Sequence, residues 1–338
     1  NTLAELGIII LLFVIGTEFP ITKLKSVGRI SMIVGIAESL GTLLVTFFVA
    51  RTLGFSQFDS MFLALAMSVT STVVTVKLLE ELNMINEKSS VLIMGILIVE
   101  DVIVITMLGI LQSLSLTAAV SFVDVLLSVA IVLGFIAAIL ILGSRYLPPL
   151  IDKLARTTDY SVLIIVILGL AFGLSFVAIE LGLSPVIGAF LAGVLVAESN
   201  SAGIARVITI PLRDVFTALF FVSVGALVDV SKIPLFIIPA LILIVTSFMA
   251  KMIIIIPVLI RAGYDTTTAV RTGLGLASAR GEMSLIVGKG GQDVGAVSSY
   301  ILPILGVVTI VTTFVTPYIL KIGTKLNISS TPSEDNKS

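Results

Sequence analysis

Long apolar segments separated by short polar loops run through most of the chain. Hydropathy predicts eleven membrane-spanning helices, because each segment approaches the roughly 20 apolar residues needed to cross a bilayer. The predicted spans are 3–22, 27–50, 60–79, 90–113, 120–145, 160–179, 184–198, 213–230, 235–260, 268–289 and 297–320. The pattern predicts an all-α polytopic membrane protein that ends in a polar tail, 327–338.

The composition agrees with this class and narrows the chemistry. Hydrophobic residues make up 57 % of the chain and charged residues 12 %, with a formal net charge of −1. Neither cysteine nor histidine is present, so disulfides and cysteine-based metal sites are excluded. A transported proton would therefore have to be carried by Asp, Glu or Lys. Neither a cofactor nor a nucleic-acid partner is expected.

The basic residues are distributed unevenly between the loops on the two sides of the predicted membrane. Fourteen of them fall in one set of loops, and only Arg51, Lys232 and Lys289 fall in the other. Because cytoplasmic loops are enriched in Lys and Arg, the first set is predicted to be cytoplasmic. The carboxyl terminus is then cytoplasmic, and a prokaryotic plasma membrane is the expected location.

The chain also pairs with itself at a constant offset of 209 residues. The segment 12–24 aligns without gaps to 221–233, and Gly16 matches Gly225. The number of spans between the copies predicts that they enter the membrane from opposite sides, as in secondary transporters. Span 184–198 has no partner in the first copy, so the repeat predicts a further helix upstream of Asn1.

The informative polar positions are charges inside apolar spans. Glu100 and Asp101 lie side by side, and no other residue between Ser89 and Val123 is ionisable. A charge at mid-membrane is costly and by default indicates an ion or proton pathway. Glu38, Lys251, Arg280 and Glu282 are predicted at a similar depth on other helices.

Neighbouring helical residues point about 100° apart, so Glu100 and Asp101 face different partners. Glu100 is assigned to an ion pair with Lys251, and Asp101 to a cavity as the monovalent-cation and proton site. The reverse assignment and a purely structural ion pair both remain open. Glu38 has three alternatives, namely a further ion ligand, a partner for Arg280, or a protonated buried acid.

Two spans carry signs of interruption near their centres. The run SVTST at 68–72 supplies hydroxyls, and Thr70 and Ser71 are candidate cation ligands. The matching stretch, ASARG at 277–281, follows a glycine-rich segment. Such stretches are where transporter helices unwind. Arg280 would offset the negative carboxyl ends of the half-helices, and Glu282 would hold Arg280 in place. Ordinary helix–helix hydrogen bonding is the alternative for the hydroxyls.

With these residues identified, the chain resembles the cation/proton antiporter-2 family, which contains NapA-type sodium/proton antiporters and KefC-type potassium efflux systems. The resemblance covers nearly the whole chain. It rests on LLFVIGTEF (11–19), SVTSTVVTVKLLEE (68–81), GILIVEDVIVI (95–105), LGLSPVIGAFLAGVLVAES (181–199), PLRDVFTALFFVSVGALVDVS (211–231) and GLASARGEMSLIV (275–287). It implies that Glu100 and Asp101 bind ion and proton, and that Lys251 is the lysine of the tenth helix.

The resemblance also implies an architecture, an inverted-repeat antiporter fold with two discontinuous crossing helices. A core ion-translocation domain would hold 25–113 and 235–322. A dimerisation domain would hold 1–24 and 160–231, with 120–145 as the linking helix. Members are typically homodimers in the bilayer whose core moves like an elevator.

The pair Glu100–Asp101 departs from the Asp-Asp of NapA-like members and the Gln-Asp of KefC-like members. This departure leaves the ion and the stoichiometry open. The expected function is exchange of a monovalent cation for protons, with sodium or lithium preferred and electroneutral potassium/proton exchange as the alternative. Lys251 favours electrogenic transport. A cation channel, an intramembrane aspartyl protease, an ion sensor and an organic-anion transporter are less favoured rivals.

Overall fold

A computed structural model gives the fold of the chain. It describes residues 2–17, 28–84, 87–116, 130–131, 134–157, 160–181, 183, 185–226 and 233–325. The tail at 327–338, the beginning of the span predicted at 120–145 and the loop residues Lys23 and Lys232 lie outside the described residues. Within the described ranges every regular element is a helix, as the apolar pattern predicts.

The α-helices are numbered here in chain order. They are α1 (Thr2–Thr17), α2 (Arg29–Thr52), α3 (Gln57–Ser68), α4 (Thr72–Glu81), α5 (Lys88–Leu116), α6 (Ser144–Thr157), α7 (Tyr160–Glu180), α8 (Pro185–Ala197), α9 (Ala202–Ala226), α10 (Ile233–Arg261), α11 (Thr266–Ser278), α12 (Glu282–Asp293) and α13 (Ile301–Lys325). A short π-helical turn, Ile139–Gly143, precedes α6.

Six helical segments of the described residues are long and apolar enough to cross a membrane. They are Arg29–Thr52, Lys88–Ser115, Gly134–Ala155, Ser161–Glu180, Phe236–Arg261 and Ile301–Gly323. The spans predicted at 60–79 and 268–289 are each divided into two half-helices. The short span predicted at 184–198 is α8, whose side chains from Val186 to Val196 are all buried.

Two predicted spans have different limits in the structure. From Gly134 onward, the span predicted at 120–145 is part of a helical segment that continues to Ala155, well beyond the predicted end. The span predicted at 213–230 begins at Ala202 as α9. The predicted span starts at Arg213 and leaves out the segment that contains Arg206. Arg206 nevertheless fits there, since its guanidinium donates to the carbonyl of Thr17.

Helix boundaries repeat at the offset found in the sequence. Helices α2 and α10 end at Thr52 and Arg261, 209 residues apart, and each is followed by a glycine with positive φ. These glycines, Gly54 at φ +87° and Gly263 at φ +90°, adopt a backbone conformation that other residues rarely tolerate. Helices α3 and α11 begin at the same offset. The repeat is therefore a property of the backbone as well as of the hydropathy pattern.

Contacts divide the chain into two compact units. The first contains Asn1–Ser26, Ile105–Asp229 and Asp293–Ala296, and the second contains Val27–Val104, Val230–Gln292 and Val297–Ser338. The division falls inside α5, before the limit at 113 that the sequence predicts for the core domain. The roles of these units in translocation and dimerisation remain a prediction.

The first unit packs α1 closely against α8 and α9. Gly16 and Gly193 allow the backbones of α1 and α8 to approach, because a Cβ at Gly193 would lie 2.8 Å from the Cα of Gly16. Small residues at such contacts are typical of helix packing in membranes, where close van der Waals contact replaces the hydrophobic effect as the driving force.

The second unit contains the larger part of each repeat copy, from α2 through most of α5 and from α10 through α13. Each copy's first half-helix is anchored to the other copy. Buried Asp59 on α3 accepts hydrogen bonds from the amide (2.7 Å) and hydroxyl (2.8 Å) of Ser298, just before α13. Arg271 on α11 donates to Glu87, just before α5, at 2.8 Å. These contacts tie the first half-helix of each copy to the start of a long helix of the other copy.

Candidate functional site

The candidate site lies in the second unit, where the two interrupted helices meet. Val69, Thr70 and Ser71 separate α3 from α4, and residues 279–281 separate α11 from α12. The backbone is extended at Val69 (φ −89°, ψ 142°) and at Ala279 (φ −96°, ψ 133°). The amide of Ser71 donates to the carbonyl of Ala279 at 3.0 Å, so the two breaks are hydrogen-bonded to each other.

Gly281 is the position that permits this close crossing. A Cβ at Gly281 would contact Ser71 Oγ and would lie 2.6 Å from Ser71 Cβ. Ser71 also caps α4, because its hydroxyl accepts the amide of Val74 at 3.4 Å. At this crossing, the SVTST segment therefore provides the hydroxyl that caps α4. The ASARG segment provides a glycine, which has no side chain to block the approach.

An interrupted helix inside a membrane requires partners for its free backbone groups. The amide of Thr70 donates to Glu100 Oε2 at 2.7 Å, and the amide of Arg280 donates to Thr312 Oγ1 at 3.0 Å. The Arg280 guanidinium donates to the carbonyls of Ala277 (3.4 Å) and Ala279 (3.2 Å) at the end of α11. A positive charge beside this carboxyl end also opposes the helix dipole.

Lys251 on α10 is the centre of the charged group. Its Nζ lies 2.9 Å from Glu100 Oε1 and 3.2 Å from Glu38 Oε2. All three side chains are fully buried, with 0 % exposed surface. The ion pair expected between Glu100 and Lys251 is therefore present in the structure. Glu38 is a second carboxylate partner of Lys251.

Thr70 links this ion pair to both interrupted helices. Its hydroxyl accepts a hydrogen bond from Lys251 Nζ at 2.8 Å and donates to the carbonyl of Leu276 on α11 at 2.6 Å. The same oxygen lies 3.2 Å from Glu100 Oε1. The sequence predicts Thr70 as a cation ligand, whereas the structure places its hydroxyl in the Lys251–Glu100 network.

Asp101 faces a different group from its neighbour. Its carboxylate is 3 % exposed, and Oδ2 accepts a hydrogen bond from Thr72 Oγ1 at 3.1 Å. Thr72 is the first residue of α4, so Asp101 lies beside the positive amino end of a half-helix. Carboxylate and hydroxyl oxygens at this position are suitable ligands for a hard monovalent cation.

The described partners of the Arg280 guanidinium are a hydroxyl and backbone carbonyls. Its guanidinium donates to Ser247 Oγ at 3.1 Å and to carbonyl groups, and no described carboxylate forms an ion pair with it. The expectation that Glu282 holds Arg280 stays a prediction, and the contact described for Glu282 is with another residue. Glu282 begins α12, and its Oε2 instead accepts the hydroxyl of Ser71 at 3.4 Å, which places an acid at a half-helix amino end.

Glu38 has a partner that is not among its three predicted alternatives. It lies beside Lys251, and Ser39 donates to its second oxygen, Oε1, at 3.1 Å. Hydropathy gives the depth of a residue in a span but not which neighbouring helix it faces, so Lys251 was not predicted as a partner of Glu38.

Three residues that were not predicted as site residues also contact the site, namely Thr72, Ser247 and Thr312. Thr72 lies in the SVTST run but was not predicted as a cation ligand. Its position after the break nevertheless indicates a hydroxyl at the start of a helix. Ser247 precedes Lys251 by one helical turn and therefore lies on the same face of α10. Thr312 has no distinguishing sequence signal, because threonine is common in membrane helices.

Comparison with known proteins gives consistent results. A family described as "Sodium/hydrogen exchanger, transmembrane" matches residues 1–325. The high-affinity Na(+)/H(+) antiporter NhaS3 of Synechocystis is 30 % identical over 331 residues, covering 94 % of this chain and 70 % of NhaS3. The K(+)/H(+) antiporter subunit KhtU of Bacillus subtilis is 29 % identical, covering 60 % of this chain and 49 % of KhtU.

The chain spans about half the length of several curated relatives that it matches. Among solved structures, the sodium proton antiporter MjNhaP1 of Methanocaldococcus jannaschii superimposes with a TM-score of 0.74. The match covers 96 % of this chain and 85 % of MjNhaP1 at 15 % sequence identity. At this identity the likeness shows a shared fold, the antiporter fold with two discontinuous helices.

Proposed function

This chain belongs to the sodium/hydrogen exchanger family, and we propose that it exchanges a monovalent cation for protons across a membrane by alternating access. It is a secondary transporter rather than an enzyme. The observation that carries the proposal is the crossing of two interrupted helices beside a buried acidic pair, Glu100 and Asp101. Such crossings supply half-helix ends and freed backbone groups at the depth where transporters bind ions.

Asp101 is the carboxylate for which cation and proton compete. One carboxylate cannot hold a proton and a cation on the same oxygen, so arrival of one releases the other. The amino end of α4 and the Thr72 hydroxyl stabilise the charged form of Asp101 between these events. Transport then follows if the occupied site is opened to only one side of the membrane at a time.

Glu100 is proposed to have a supporting role. In the structure it is held by the Thr70 amide and by Lys251. When a cation reaches Asp101, Glu100 can rotate towards it and supply a further carboxylate oxygen. The number of protons exchanged per cation depends on what Lys251 does at that moment.

Sodium or lithium is the proposed cation, and potassium is the alternative. Two neighbouring carboxylates and nearby hydroxyls form an oxygen-rich environment that suits a small, hard cation. NhaS3 is named for sodium and KhtU for potassium, so relatives of this chain include both selectivities.

We propose that this chain has the domain architecture that its sequence implies. The segments 25–113 and 235–322 form the translocation core, and 1–24 with 160–231 form the dimerisation domain of a homodimer. The proposed location is the plasma membrane of a prokaryote, with the carboxyl terminus in the cytoplasm, because the basic residues concentrate in one set of loops.

The test is ion exchange by purified protein in proteoliposomes with a pH-sensitive dye inside. Addition of sodium, lithium or potassium outside should drive proton movement that saturates with cation concentration. Cation flux that is uncoupled from pH and exceeds transporter rates would instead indicate a channel. Cation binding without any proton movement would indicate a sensor.

A further inference from the structure

A cavity lies between the start of α5 and the loop that joins α10 to α11, entirely within the second unit. Its volume is about 540 Å³, which is in the usual range for small-ligand sites. It is lined by Lys88, Val91 and Leu92 from α5 and by residues 262–265 from the loop. The proposed topology places these helix ends at the cytoplasmic face of the membrane.

Opposite charges line this cavity without forming an ion pair with each other. The Lys88 side chain is exposed, and none of the ion pairs found in the described residues includes it. Asp265 accepts the Thr268 amide, which has the largest effect in lowering the pKa of its carboxyl, and Lys88 lowers that pKa further. The two charges are therefore close enough to influence each other, with the cavity that both line as space for a ligand.

The repeat contains a second turn of the same kind that carries no charge at the matching positions. At the offset of 209 residues, 54–56 match 263–265, and Val297 takes the place of the cavity's lysine. Both turns have a glycine at positive φ. Ser56 caps its helix by accepting the amide of Asp59 at 3.1 Å, so a serine suffices for the cap. The turn and its cap therefore form without the two charges, and the fold does not account for them.

Exposed apolar side chains lie beside the charged part of the cavity. Val91, which lines the cavity, is 58 % exposed, and Ile260, in the last turn of α10, is 44 % exposed. Tyr264 is half-buried against the same apolar core as Leu92, and tyrosine is enriched where the membrane meets water. Two charges next to apolar surface at the ends of spanning helices are complementary to a phospholipid, which has a polar headgroup and acyl chains.

We propose that this cavity binds a membrane phospholipid with an ethanolamine headgroup, with the phosphate at Lys88 and the ammonium at Asp265. Both contacts are charge-assisted hydrogen bonds, which are stronger than neutral ones. A carboxylate offers about four lone-pair sites, so Asp265 accepts the ammonium while it keeps the Thr268 amide. The acyl chains then run along Val91 towards the membrane interior.

The pair of charges selects among headgroups. A choline headgroup carries a quaternary ammonium, which has no N–H to donate to Asp265. A glycerol headgroup carries a phosphate without a cation, so its negative charge would lie near a carboxylate that nothing in the ligand neutralises. Such unpaired charge is a means of rejecting the wrong ligand. A soluble phosphate ester lacks the acyl chains that would cover Val91.

Native mass spectrometry of the purified protein tests the proposal by titration with ethanolamine, choline and glycerol phospholipids that share the same acyl chains. We expect the ethanolamine lipid to bind at least about tenfold more tightly than the other two, since each of these lacks one charge-assisted contact. Equal dissociation constants, or tightest binding of the glycerol lipid, would overturn the proposal. Water-soluble glycerophosphoethanolamine that binds as tightly as the lipid would overturn the assignment to a membrane lipid. The titration does not involve ion exchange, so these results leave the proposed function untouched.

Lys88→Gln and Asp265→Ser test the two charges separately, and serine keeps the helix cap as Ser56 does in the other turn. Each variant should bind the ethanolamine lipid about tenfold more weakly and lose the preference over choline or glycerol lipid. Lys77→Gln is the matched control, because it removes an exposed lysine of the same unit that does not line the cavity. Thermal unfolding verifies that the variants are folded. Unchanged affinity in either cavity variant, or an equal loss in the control, would contradict the assigned contacts.

Discussion

Glu100 and Lys251, which are 151 residues apart in the chain, form a fully buried ion pair of 2.9 Å between α5 and α10. Glu100 also accepts the amide of Thr70 at the break between α3 and α4. One carboxylate therefore joins a long helix, an interrupted helix and a buried cation. Its contacts therefore link the stability of this unit to the proposed ion-binding site.

The burial of this pair predicts a large effect on stability. Breaking a buried ion pair by removing one partner costs roughly 3–5 kcal/mol, whereas partly exposed pairs contribute about 1 kcal/mol or less. Glu100→Gln should lower the free energy of unfolding by about 3 kcal/mol, since Glu38 still pairs with Lys251. Detergent-based unfolding titrations measure this difference.

Glu87→Gln is the comparison for that measurement, because Glu87 (40 % exposed) pairs with Arg271 (21 % exposed). It should change the free energy of unfolding by less than about 1 kcal/mol. Equal effects of the two Glu→Gln substitutions would show that burial does not set the contribution of the Glu100–Lys251 pair.

Because the two interrupted helices cross closely at Gly281, we expect even one added methyl group there to lower both stability and exchange rate. In Gly281→Ala the new Cβ would overlap Ser71, which caps α4. We expect a loss of about 1–3 kcal/mol in stability and at least a tenfold loss of exchange rate, measured by unfolding titration and dye-based flux. Gly173→Ala on α7 should be nearly neutral, because nothing lies within 4 Å of its added Cβ.

A compensating change makes this prediction specific. Ser71→Gly removes the side chain that the alanine would meet, so the double variant should recover part of the stability that Gly281→Ala loses. If the two substitutions lower stability additively in the double variant, the stability loss in Gly281→Ala does not come from contact with Ser71.

Much of this site could be predicted from the sequence, because a charge in an apolar span is visible without coordinates. Hydropathy gives depth, and the interrupted SVTST and ASARG segments were placed correctly. The partner of Glu38 could not be obtained in this way, since it depends on how α2 rotates against α10. The start of α9 was missed for a related reason, as Arg206 is satisfied by the distant Thr17 carbonyl.

The start of α11 predicts a pH-dependent contribution to stability. Asp265 accepts the Thr268 amide at 2.9 Å, and this hydrogen bond holds the pKa of its carboxyl below the ordinary value. Because the pKa is lower in the folded state, the stabilisation is present above about pH 4 and is lost as pH falls through the lowered pKa. Asp265→Ala should cost about 1 kcal/mol at pH 7.

The cost of Asp265→Ala should shrink below about pH 4, where the wild-type carboxyl takes up a proton. Asp265→Ser is the control, because serine caps helices without titrating. Thermal unfolding of the three proteins between pH 3 and pH 7 measures both trends. A cost of Asp265→Ala that is constant over this range would contradict the assigned cap.

The central claim is that Asp101 carries both cation and proton, and Asp101→Asn in proteoliposomes tests it most directly. Asparagine keeps an oxygen for the Thr72 hydroxyl, so the variant should fold, which size-exclusion chromatography and thermal unfolding can verify. The predicted result is complete loss of cation-driven proton movement with sodium, lithium and potassium. Substantial remaining exchange in the folded variant would contradict the account and remove Asp101 from the transport cycle.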